Sequence, residues 1–197
     1  NVSGYPFWFD VRIENFALVV HREAIWKWSL PLLKARTRPW QHSRVFLDFS
    51  GQHKFEGPWH AVLAARQLDL SILIGKRGRW NAVFDGESIN ADVSKAGTLS
   101  AKNILLEVNW SYDLGSQETP PRSMVFSVDS LKVPKNWALP LGDEVITLDL
   151  AAHLEGPIRS LRNLDQFIQW RDSGGILELT RIGVSHGPLK LVGDGTF

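Results

Sequence analysis

The sequence has no cysteine among its 197 residues, and this absence removes several kinds of chemistry at once. Disulfide bridges, thiolate nucleophiles and cysteine-ligated metals are all excluded. A chain of this length buries roughly 70% of the surface that its unfolded form exposes, so it can stabilise a core without cross-links. The absence leaves the compartment open, because many envelope proteins also lack cysteine.

Methionine, long apolar runs and net charge are also scarce. The single methionine is Met124 rather than residue 1, so we expect the gene product to start upstream of Asn1, where an export signal or membrane anchor would lie. No apolar run approaches the roughly 18 residues of a membrane-spanning helix. The 22 basic and 21 acidic residues leave a charge of +1, which argues against nucleic-acid binding through a global field.

Large apolar side chains are abundant, including nine Trp and ten Phe. Many short runs have apolar residues at every second position, which is typical of β-strands with one dry face. Two such runs are Trp26, Trp28, Leu30 and Leu32, and Ile146, Leu148, Leu150, Ala152 and Leu154. Because Gly and Pro separate the runs, we predict a mainly β (β-rich α+β) fold, built as one elongated, curved antiparallel sheet.

One segment has helical rather than strand spacing. Apolar residues recur every three to four positions between 158 and 173, Asn163 and Gln166 resemble a capping pair, and Gly174-Gly175 would end the helix. The apolar stripe consists of Ile158, Leu161, Leu164, Phe167 and Ile168. We predict one helix at 158–173, packed on the sheet by this stripe, because so short a helix is marginal alone.

The positions of Gly, Pro and polar residues also predict the domain organisation. The stretch 113–122 is rich in Gly, Ser, Gln, Glu and Pro, which predicts a long loop. We expect a single elongated β-rich domain over 1–197, with two halves meeting at this loop as the alternative.

A short apolar pattern is repeated five times. Each copy has two apolar residues at alternate positions, two polar residues, and a second alternate pair, so that the parity shifts by one in the middle. The middle residues are Glu14-Asn15, Arg66-Gln67, Lys102-Asn103, Asp129-Ser130 and Thr180-Arg181. A β-bulge at each pair would keep all four apolar side chains on one face, whereas a regular strand would turn the second pair away. Chance recurrence in a β-rich chain is the alternative.

The last third of the chain carries a resemblance to a known family. The stretch Gln169-Trp170-Arg171-Asp172-Ser173-Gly174-Gly175, then His186-Gly187-Pro188 and Gly193-Asp194-Gly195, resembles an uncharacterised envelope-protein family of alphaproteobacteria, labelled only as a domain of unknown function. The opening Ser3 to Phe7 and the segment Leu139 to Gly142 are similar to it as well. The resemblance implies a periplasmic body, anchored to the inner membrane by an N-terminal segment outside this chain, and a continuation past Phe197.

The repeated apolar pairs also resemble the strand units of AsmA-like envelope proteins, whose curved sheets form apolar grooves implicated in lipid movement. This is a similarity of pattern rather than of motif. A fold analogy does not carry function by itself.

No constellation for catalysis or metal binding stands out, so we predict no catalytic residue, metal or cofactor and a protein that is not an enzyme. His42, His53 and His60 lie near Asp48 and Glu56, but their spacing matches no compact ligand motif. No nucleophile elbow or phosphate-binding loop is present. An enzyme with a polar cleft is the third-ranked alternative.

The first 44 residues are basic and rich in Trp. In a tethered protein, this combination would suit contact with an anionic lipid surface. Binding of single-stranded nucleic acid is an unfavoured alternative. The simplest alternative is a solvated strand face with its Trp side chains in the core. The anionic-surface candidates are Arg22, Lys27, Lys34, Arg36 and Arg38.

The leading functional hypothesis is a noncatalytic, periplasmic, membrane-associated protein that binds or guides a lipidic or other hydrophobic ligand along an apolar sheet surface. So many Trp and Phe side chains require either a thick core or a ligand-covered groove. An envelope scaffold that holds partner proteins on the same strip or on a sheet edge is the alternative. The candidate contact residues for lipid or partner are Trp26, Trp28, Leu30, Trp40, Leu63, Leu68, Leu99, Ile104, Phe126, Leu131, Leu177 and Ile182.

Overall fold

The computed structural model describes residues 2–3, 7–21, 24–111, 122–137, 139, 141, 146–156 and 164–196. These residues form twelve strands, one α-helix and two single 3-10 turns at Lys76–Gly78 and Lys135–Trp137. The strands and the α-helix are β1 (Val2–Ser3), β2 (Phe9–His21), β3 (Ile25–Arg38), β4 (Gln41–Asp48), β5 (Gly51–Glu56), β6 (Ala61–Ile74), β7 (Trp80–Val93), β8 (Gly97–Trp110), β9 (Arg122–Leu131), β10 (Ile146–Glu155), α1 (Leu164–Asp172), β11 (Ile176–His186) and β12 (Leu189–Thr196).

All twelve strands belong to one antiparallel sheet whose order follows the sequence. The exception is that β4 and β5 share one position between β3 and β6, each pairing with half of both neighbours. The predicted mainly β fold with an antiparallel sheet is therefore confirmed. The strands β8 and β9, which flank the loop predicted at 113–122, are direct neighbours. Residues 112–121 lie outside the described residues, and Arg122 is the first residue of β9 rather than part of a loop.

The division between β4 and β5 is a local break stabilised by polar groups. The Ser50 N–H donates to Asp48 (3.0 Å), and the Ser50 hydroxyl accepts the N–H of Leu68 (2.9 Å). The Phe49 N–H donates to the Leu68 carbonyl at 3.0 Å. Because these bonds satisfy the backbone where the ladder is interrupted, one strand position is filled by two short segments.

Three of the five bulges predicted from the repeated pattern are confirmed by the strand register. The pairing of β10 with β11 shifts by one residue at Thr180, and that of β9 with β10 shifts at Asp129-Ser130. Along β6, the register changes by one residue across Arg66-Gln67, between its pairing with β5 and with β4. Ser130 has a φ of 56°, a left-handed conformation that suits a bulge.

The other two predicted positions are irregular without a register shift. Asn15 has a φ of 52°, and by the β2–β3 register it lies opposite Pro31, which has no N–H to donate. Lys102 lies between Ser88 of β7 (φ 53°) and Ser130 of β9. The irregular residues of neighbouring strands lie opposite one another. The hydrogen-bonded pairing is therefore interrupted at these residues, but the register on either side of them is the same.

The bulges have the expected effect on the side chains. Along β6, Ala65 and Leu68 belong to one buried cluster, and Leu63 and Leu70 pack against it, so all four apolar residues lie on one face. The cluster also contains residues of β3, β7 and the break after β4. Its fully enclosed members are Leu30, Phe49, Ala65, Leu68 and Ile89.

In β3, the strict alternation read from the sequence is wrong at one residue. The run was expected to continue from Leu30 to Leu32, but Leu33 is the residue that packs against the buried cluster. Pro31 interrupts the pairing there, so the parity shifts by one as it does in the repeated units. In β7, Phe84, Gly86, Ile89 and Ala91 have the same spacing. The repeated pattern is not evident there from the sequence, because Gly86 stands in place of an apolar side chain.

The predicted helix is present as α1, which begins at Leu164 within the described residues; residues 157–163, including Ile158, Leu161 and Asn163, lie outside them. Its end is as predicted, because Gly174 has a φ of 86°. The N–H groups of Gly174 and Gly175 donate to the carbonyls of Arg171 and Trp170, both at 3.0 Å, which is the Schellman pattern.

The residue that fixes α1 to the sheet differs from the predicted stripe. Ile168 is exposed, whereas Trp170 is buried and donates from Nε1 to the Glu155 carbonyl of β10 (3.0 Å). Phe167 contacts Trp170 at a ring-centroid distance of 5.2 Å. The indole also lies against the backbone of Gly175, so the helix is attached through its last turn.

We expect Leu68→Ala to lower the free energy of unfolding by about 2 to 5 kcal/mol, because it leaves a cavity in the buried cluster. Leu18→Ala, at an exposed apolar position of β2, should cost about 0.5 kcal/mol or less. Urea denaturation of both variants measures the difference. Equal costs would contradict the placement of the core.

Gly175→Ala should destabilise the attachment of α1, because a Cβ at residue 175 would overlap the indole of Trp170. We expect a loss of about 1 to 3 kcal/mol in unfolding free energy. Gly193→Ala is the matched control, since nothing lies within 4 Å of its Cβ position. Tryptophan fluorescence during a urea titration measures the unfolding free energy of both variants.

Candidate functional site

The main chemical feature of the sheet is a continuous apolar face. Residues that are paired across neighbouring strands share a face, so the register traces this surface. One row contains Leu70, Phe84, Leu106, Phe126, Leu150 and Ile182, on β6 to β11. A second row, on β2 to β5, contains Leu18, Trp28 and Phe55. The apolar residues of consecutive strands therefore form a single surface across the sheet.

Aromatic rings fill the part of this face formed by β2, β3 and β5. The Trp28 ring stacks parallel to His53 and Phe55, with centroids 5.9 and 6.2 Å away. Phe16 meets Trp28 edge-on at 5.4 Å, and Phe49 meets His53 edge-on at 6.1 Å. Such contacts add to the burial of each ring, so this part of the face is packed against itself.

His53 is a buried polar group within this aromatic cluster. Its Nδ1 accepts a hydrogen bond from the Trp28 indole N–H at 3.0 Å, so the neutral ring carries its proton on Nε2. Burial lowers the pKa of His53, and the Phe49 carbonyl, which acts in the opposite direction, only partly offsets this. The histidine is therefore a neutral component of the core at pH 7.

The structure divides the candidate contact residues into three groups. Leu30 and Leu68 are only 3% and 4% exposed, so neighbouring strands already enclose them as core residues. Trp40 lies in the turn between β3 and β4, where it is exposed. The half-buried residues are Trp26, Trp28, Leu63, Leu99, Ile104, Phe126, Leu131, Leu177 and Ile182. Half-buried apolar groups are those that a ligand on this face would cover further.

Trp26 has a different setting from the rest of this group. It meets Trp59 edge-on at 4.9 Å and lies against the backbone of Gly57. Both contacts belong to the connection between β5 and β6. Trp26 therefore packs at one end of the sheet, while Trp28 packs in its aromatic centre.

The chain has more surface than a compact protein of its size. Its solvent-accessible area is 13271 Å². A compact protein of 22.2 kDa would expose roughly 9,400 Å² by the usual scaling with mass. Exposed apolar residues of this face occur near both edges, at Ile13 and Leu18 of β2 and at Leu189 and Leu191 of β12. The excess area fits a sheet whose apolar face is incompletely covered.

The basic residues predicted to accompany the tryptophans lie on the opposite face. Alternation along β3 separates Lys27 from Trp26 and Trp28, and the shift at Pro31 places Lys34 and Arg36 on the polar side as well. The tryptophan that does meet the basic groups is Trp8. The guanidinium carbons of Arg36 and Arg38 lie 5.2 and 4.5 Å from its ring centroid.

Most of these cations are paired with carboxylates. Lys27 contacts Glu56 (3.3 Å), and Lys34 contacts Asp48 (2.8 Å). Arg36 contacts Asp10 at 2.5 Å. Burial raises the pKa of Asp48, but hydrogen bonds from Lys34 and Ser50 lower it more, so the carboxyl stays ionised. Arg22 lies outside the described residues.

The polar face contains a concave pocket of about 680 Å³. Its lining combines Trp8 with charged groups of both signs on β2 to β7. The charged residues are Asp10, Arg12, Lys34, Arg36, Asp48, Asp69 and Asp85. Since the pairs already described neutralise much of this charge, the pocket has no strong preference for an anion.

Sequence reasoning missed a buried arginine at the end of the sheet near α1. Arg122 is 1% exposed, and it donates to the carbonyls of Ser111 (2.9 Å) and Gly156 (2.8 Å). Its guanidinium carbon lies 5.5 Å from the Trp110 ring centroid. Burial lowers the pKa of Arg122. The arginine joins the ends of β8, β9 and β10, and no spacing in the sequence signals it.

The described residues contain neither a metal-binding cluster nor a helix suited to crossing a membrane. No group of three His, Asp or Glu side chains there is arranged to hold a metal ion. His53 is enclosed, His60 is exposed, and the side chain of His42 is outside the described set. The described ranges also contain no helix that is long and apolar enough to cross a bilayer.

These features define a class of protein: an antiparallel meander in one sheet, with an apolar and a polar face and a single described helix at one end. The chain belongs to the family described as "Uncharacterized protein conserved in bacteria (DUF2125)", which matches residues 1–197. The predicted resemblance to a domain of unknown function is thus confirmed. No curated protein and no solved structure matches the chain significantly.

Acidification should destabilise the protein through His53. Its folded-state pKa is lowered, so the unfolded state binds the proton first as pH falls below the ordinary value of about 6.5. The contribution to stability is present above that pH and is lost towards the lower, folded-state pKa, by at most about 1.4 kcal/mol per pH unit. Urea titrations at pH 7.5, 6.5 and 5.5 measure this slope.

His53→Gln removes this titration, so the gap in stability between the wild type and the variant should narrow as pH falls. His60→Gln, which removes an exposed imidazole, is the control. A gap that stays constant from pH 7.5 to 5.5 would show that His53 does not titrate differently on unfolding.

Proposed function

We propose that the protein is a noncatalytic, membrane-associated component of the bacterial periplasm that binds or guides a lipidic ligand along the apolar face of its sheet. The observation that carries the proposal is the continuity of that face from β2 to β12, combined with an accessible area of 13271 Å². Half-buried apolar residues in so extended a surface favour a ligand that supplies the missing contacts. The inner-membrane anchor inferred from the resemblance would hold this face close to its source of lipid.

The strands from β9 to β11 are the preferred part of the face for ligand contact. The aromatic cluster around Trp28 and His53 already fills the region near β3 and β5. After Phe126 of β9, the row continues on β10 and β11 with the aliphatic side chains Leu150 and Ile182, which are half-buried. Flexible aliphatic surfaces match acyl chains in chemistry, and their burial would contribute about 25 cal/mol per Å².

Ile182→Asn should reduce the amount of bound lipid about tenfold, because a polar amide on the contact surface must lose its hydration when lipid binds. Val125→Asn is the matched control, since Val125 lies on the opposite face of β9. Native mass spectrometry and lipid extraction of protein from its own membranes measure occupancy. Circular dichroism of both variants establishes that each is folded.

Three outcomes would count against this function: no lipid on the wild-type protein, equal loss in both variants, or loss only in Val125→Asn. The first would show that the protein carries no lipid. The other two would place binding away from the apolar face.

An envelope scaffold is the second candidate, and two exposed apolar side chains on β12 favour it. On β12, Leu191 and Val192 are exposed on opposite faces of the outermost described strand. Contact with a partner protein would cover exposed apolar groups of this kind. Co-purification of a stoichiometric partner protein, lost in Val192→Asp, would favour this function over lipid binding.

A further inference from the structure

One end of the sheet brings together the tips of β2, β3, β4, β6 and β7, which are neighbours in this order. Three chain segments form this end: residues 7–9 at the start of β2, residues 38–41 at the β3–β4 turn, and residues 74–80 around the β6–β7 turn. The strand register places all three segments at the same end of the sheet. We refer to them together as the Trp40 end.

Large apolar side chains protrude from the Trp40 end. Trp40 is 63% exposed at the β3–β4 turn, Phe7 is 66% exposed before β2, and Ile74 is 58% exposed at the end of β6. Exposed apolar groups that lie together mark sites of interaction. Because these three belong to different connections, one surface laid across the strand tips would cover them all.

The charges of the Trp40 end are all of one sign. Its segments contain no Asp or Glu, and their cationic residues are Arg38, Lys76, Arg77 and Arg79. Lys76 and Arg79 are exposed, and the guanidinium carbon of Arg38 lies 4.5 Å from the Trp8 ring centroid. Arg38, Lys76 and Arg79 form no ion pair with a carboxylate of the described residues. Their charge is therefore available to an external anionic surface.

The opposite ends of the same strands have a different charge. Apolar groups are exposed there as well, since Ile25 is 63% and Trp59 is 45% exposed. Carboxylates accompany them, however. Glu56, at the end of β5, pairs with Lys27 at 3.3 Å, and Asp92 is exposed near the end of β7. An anionic surface would repel these carboxylates, so it would distinguish the two ends of the sheet.

We propose that the protein docks on the surface of an anionic phospholipid bilayer through the Trp40 end. The inference rests on the membrane association in the proposed function and names the part of the chain that makes the contact. Trp is favoured at the headgroup level of a bilayer, and apolar side chains gain by insertion beside it. Each Lys or Arg near an anionic surface strengthens binding about fivefold. A soluble anion would contact the cations but leave the exposed apolar side chains in water.

Docking through the Trp40 end would bring the apolar face of the sheet to the bilayer. Ile74 follows Leu70 and Ile72 at alternate positions of β6, so it lies on that face. Ile74 pairs with Trp80, which pairs with Trp110, and these two indole rings stack at a centroid distance of 6.3 Å. The apolar face therefore begins at the docked end, and the strands lead away from the bilayer. A lipid that leaves the bilayer would meet apolar side chains at once.

Neutralising cations tests the electrostatic part of docking. The double variant Lys76→Gln, Arg79→Gln should bind vesicles of mixed phosphatidylglycerol and phosphatidylcholine about twentyfold more weakly than the wild type. The matched control Lys95→Gln, Lys102→Gln removes two exposed charges away from the Trp40 end and should bind within about twofold of the wild type. Co-sedimentation of the 197-residue chain measures binding, which should fall with added salt and on pure phosphatidylcholine. Circular dichroism establishes that each variant is folded.

A fluorescent label tests the insertion of apolar groups, because the natural chain contains no cysteine that would compete for the label. A polarity-sensitive fluorophore attached to Ile74→Cys should shift its emission to shorter wavelength on phosphatidylglycerol vesicles, since insertion removes the fluorophore from water. Ile25→Cys is the matched control, because Ile25 is as exposed as Ile74 but lies at the opposite end of the sheet. Its emission should stay unchanged.

Three results would overturn the proposal: a wild-type chain that does not bind phosphatidylglycerol vesicles, equal loss of binding in the two charge variants, or equal emission shifts at the two labelled positions. Vesicle binding is measured separately from the lipid that the purified protein carries. Carried lipid without vesicle binding would overturn docking through the Trp40 end and leave lipid binding by the apolar face intact. Vesicle binding that follows the predicted pattern without any carried lipid would support docking and count against lipid binding.

Discussion

The arrangement of the protein depends on one constraint: most of the long strands, such as β3, β6 and β11, must turn their apolar residues to the same side despite a change of parity in the middle of the strand. The chain meets it by placing irregular residues at corresponding levels of neighbouring strands, such as Ser88 and Ser130 beside Lys102. When both partners deviate together, the register survives and hydrogen bonding resumes. Without these irregularities, Leu68 and Leu70 would face water while Leu63 and Ala65 faced the core.

The single-sheet architecture explains why the apolar face near β3 and β5 is rich in aromatic rings. A single sheet buries a side chain only against its neighbours on the same face, so broad flat rings cover more area than aliphatic groups. Trp28, His53 and Phe55 stack in a row across β3 and β5. Trp28 also donates a hydrogen bond to the buried imidazole of His53. This contact satisfies Nδ1 alone, since the buried Nε2 of His53 makes no hydrogen bond among the described residues.

The sequence predicted the strand content, the antiparallel order and the bulges of β6, β9 and β11, because these follow from local periodicity and turn residues. It failed where the deciding contact is distant. Strict alternation predicts Leu32 on the apolar face, but the interrupted pairing of Pro31 with Asn15 on β2 shifts the parity to Leu33. Ile168 was expected to anchor α1, but the carbonyl of Glu155 and the close approach of Gly175 select Trp170 instead.

The candidate site was less predictable for the same reason. A list of apolar residues does not distinguish Leu68, which neighbouring strands enclose, from Ile182, which they leave half-open. Only the order and register of the strands decide that. The buried Arg122 illustrates the point most clearly, because its acceptors are carbonyls of Ser111 and Gly156, which are close in space but not in sequence.

The separation of chemistry between the two faces limits how a ligand and a membrane surface could be contacted together. Trp26 and Trp28 lie on the opposite side from Lys34 and Arg36, so they cannot form one mixed aromatic and basic surface. The basic side instead combines Arg38 with Trp8, and its charges are largely paired. An acyl chain would therefore meet an uncharged surface along the strands, and any headgroup contact would have to come from the ends or edges of the sheet.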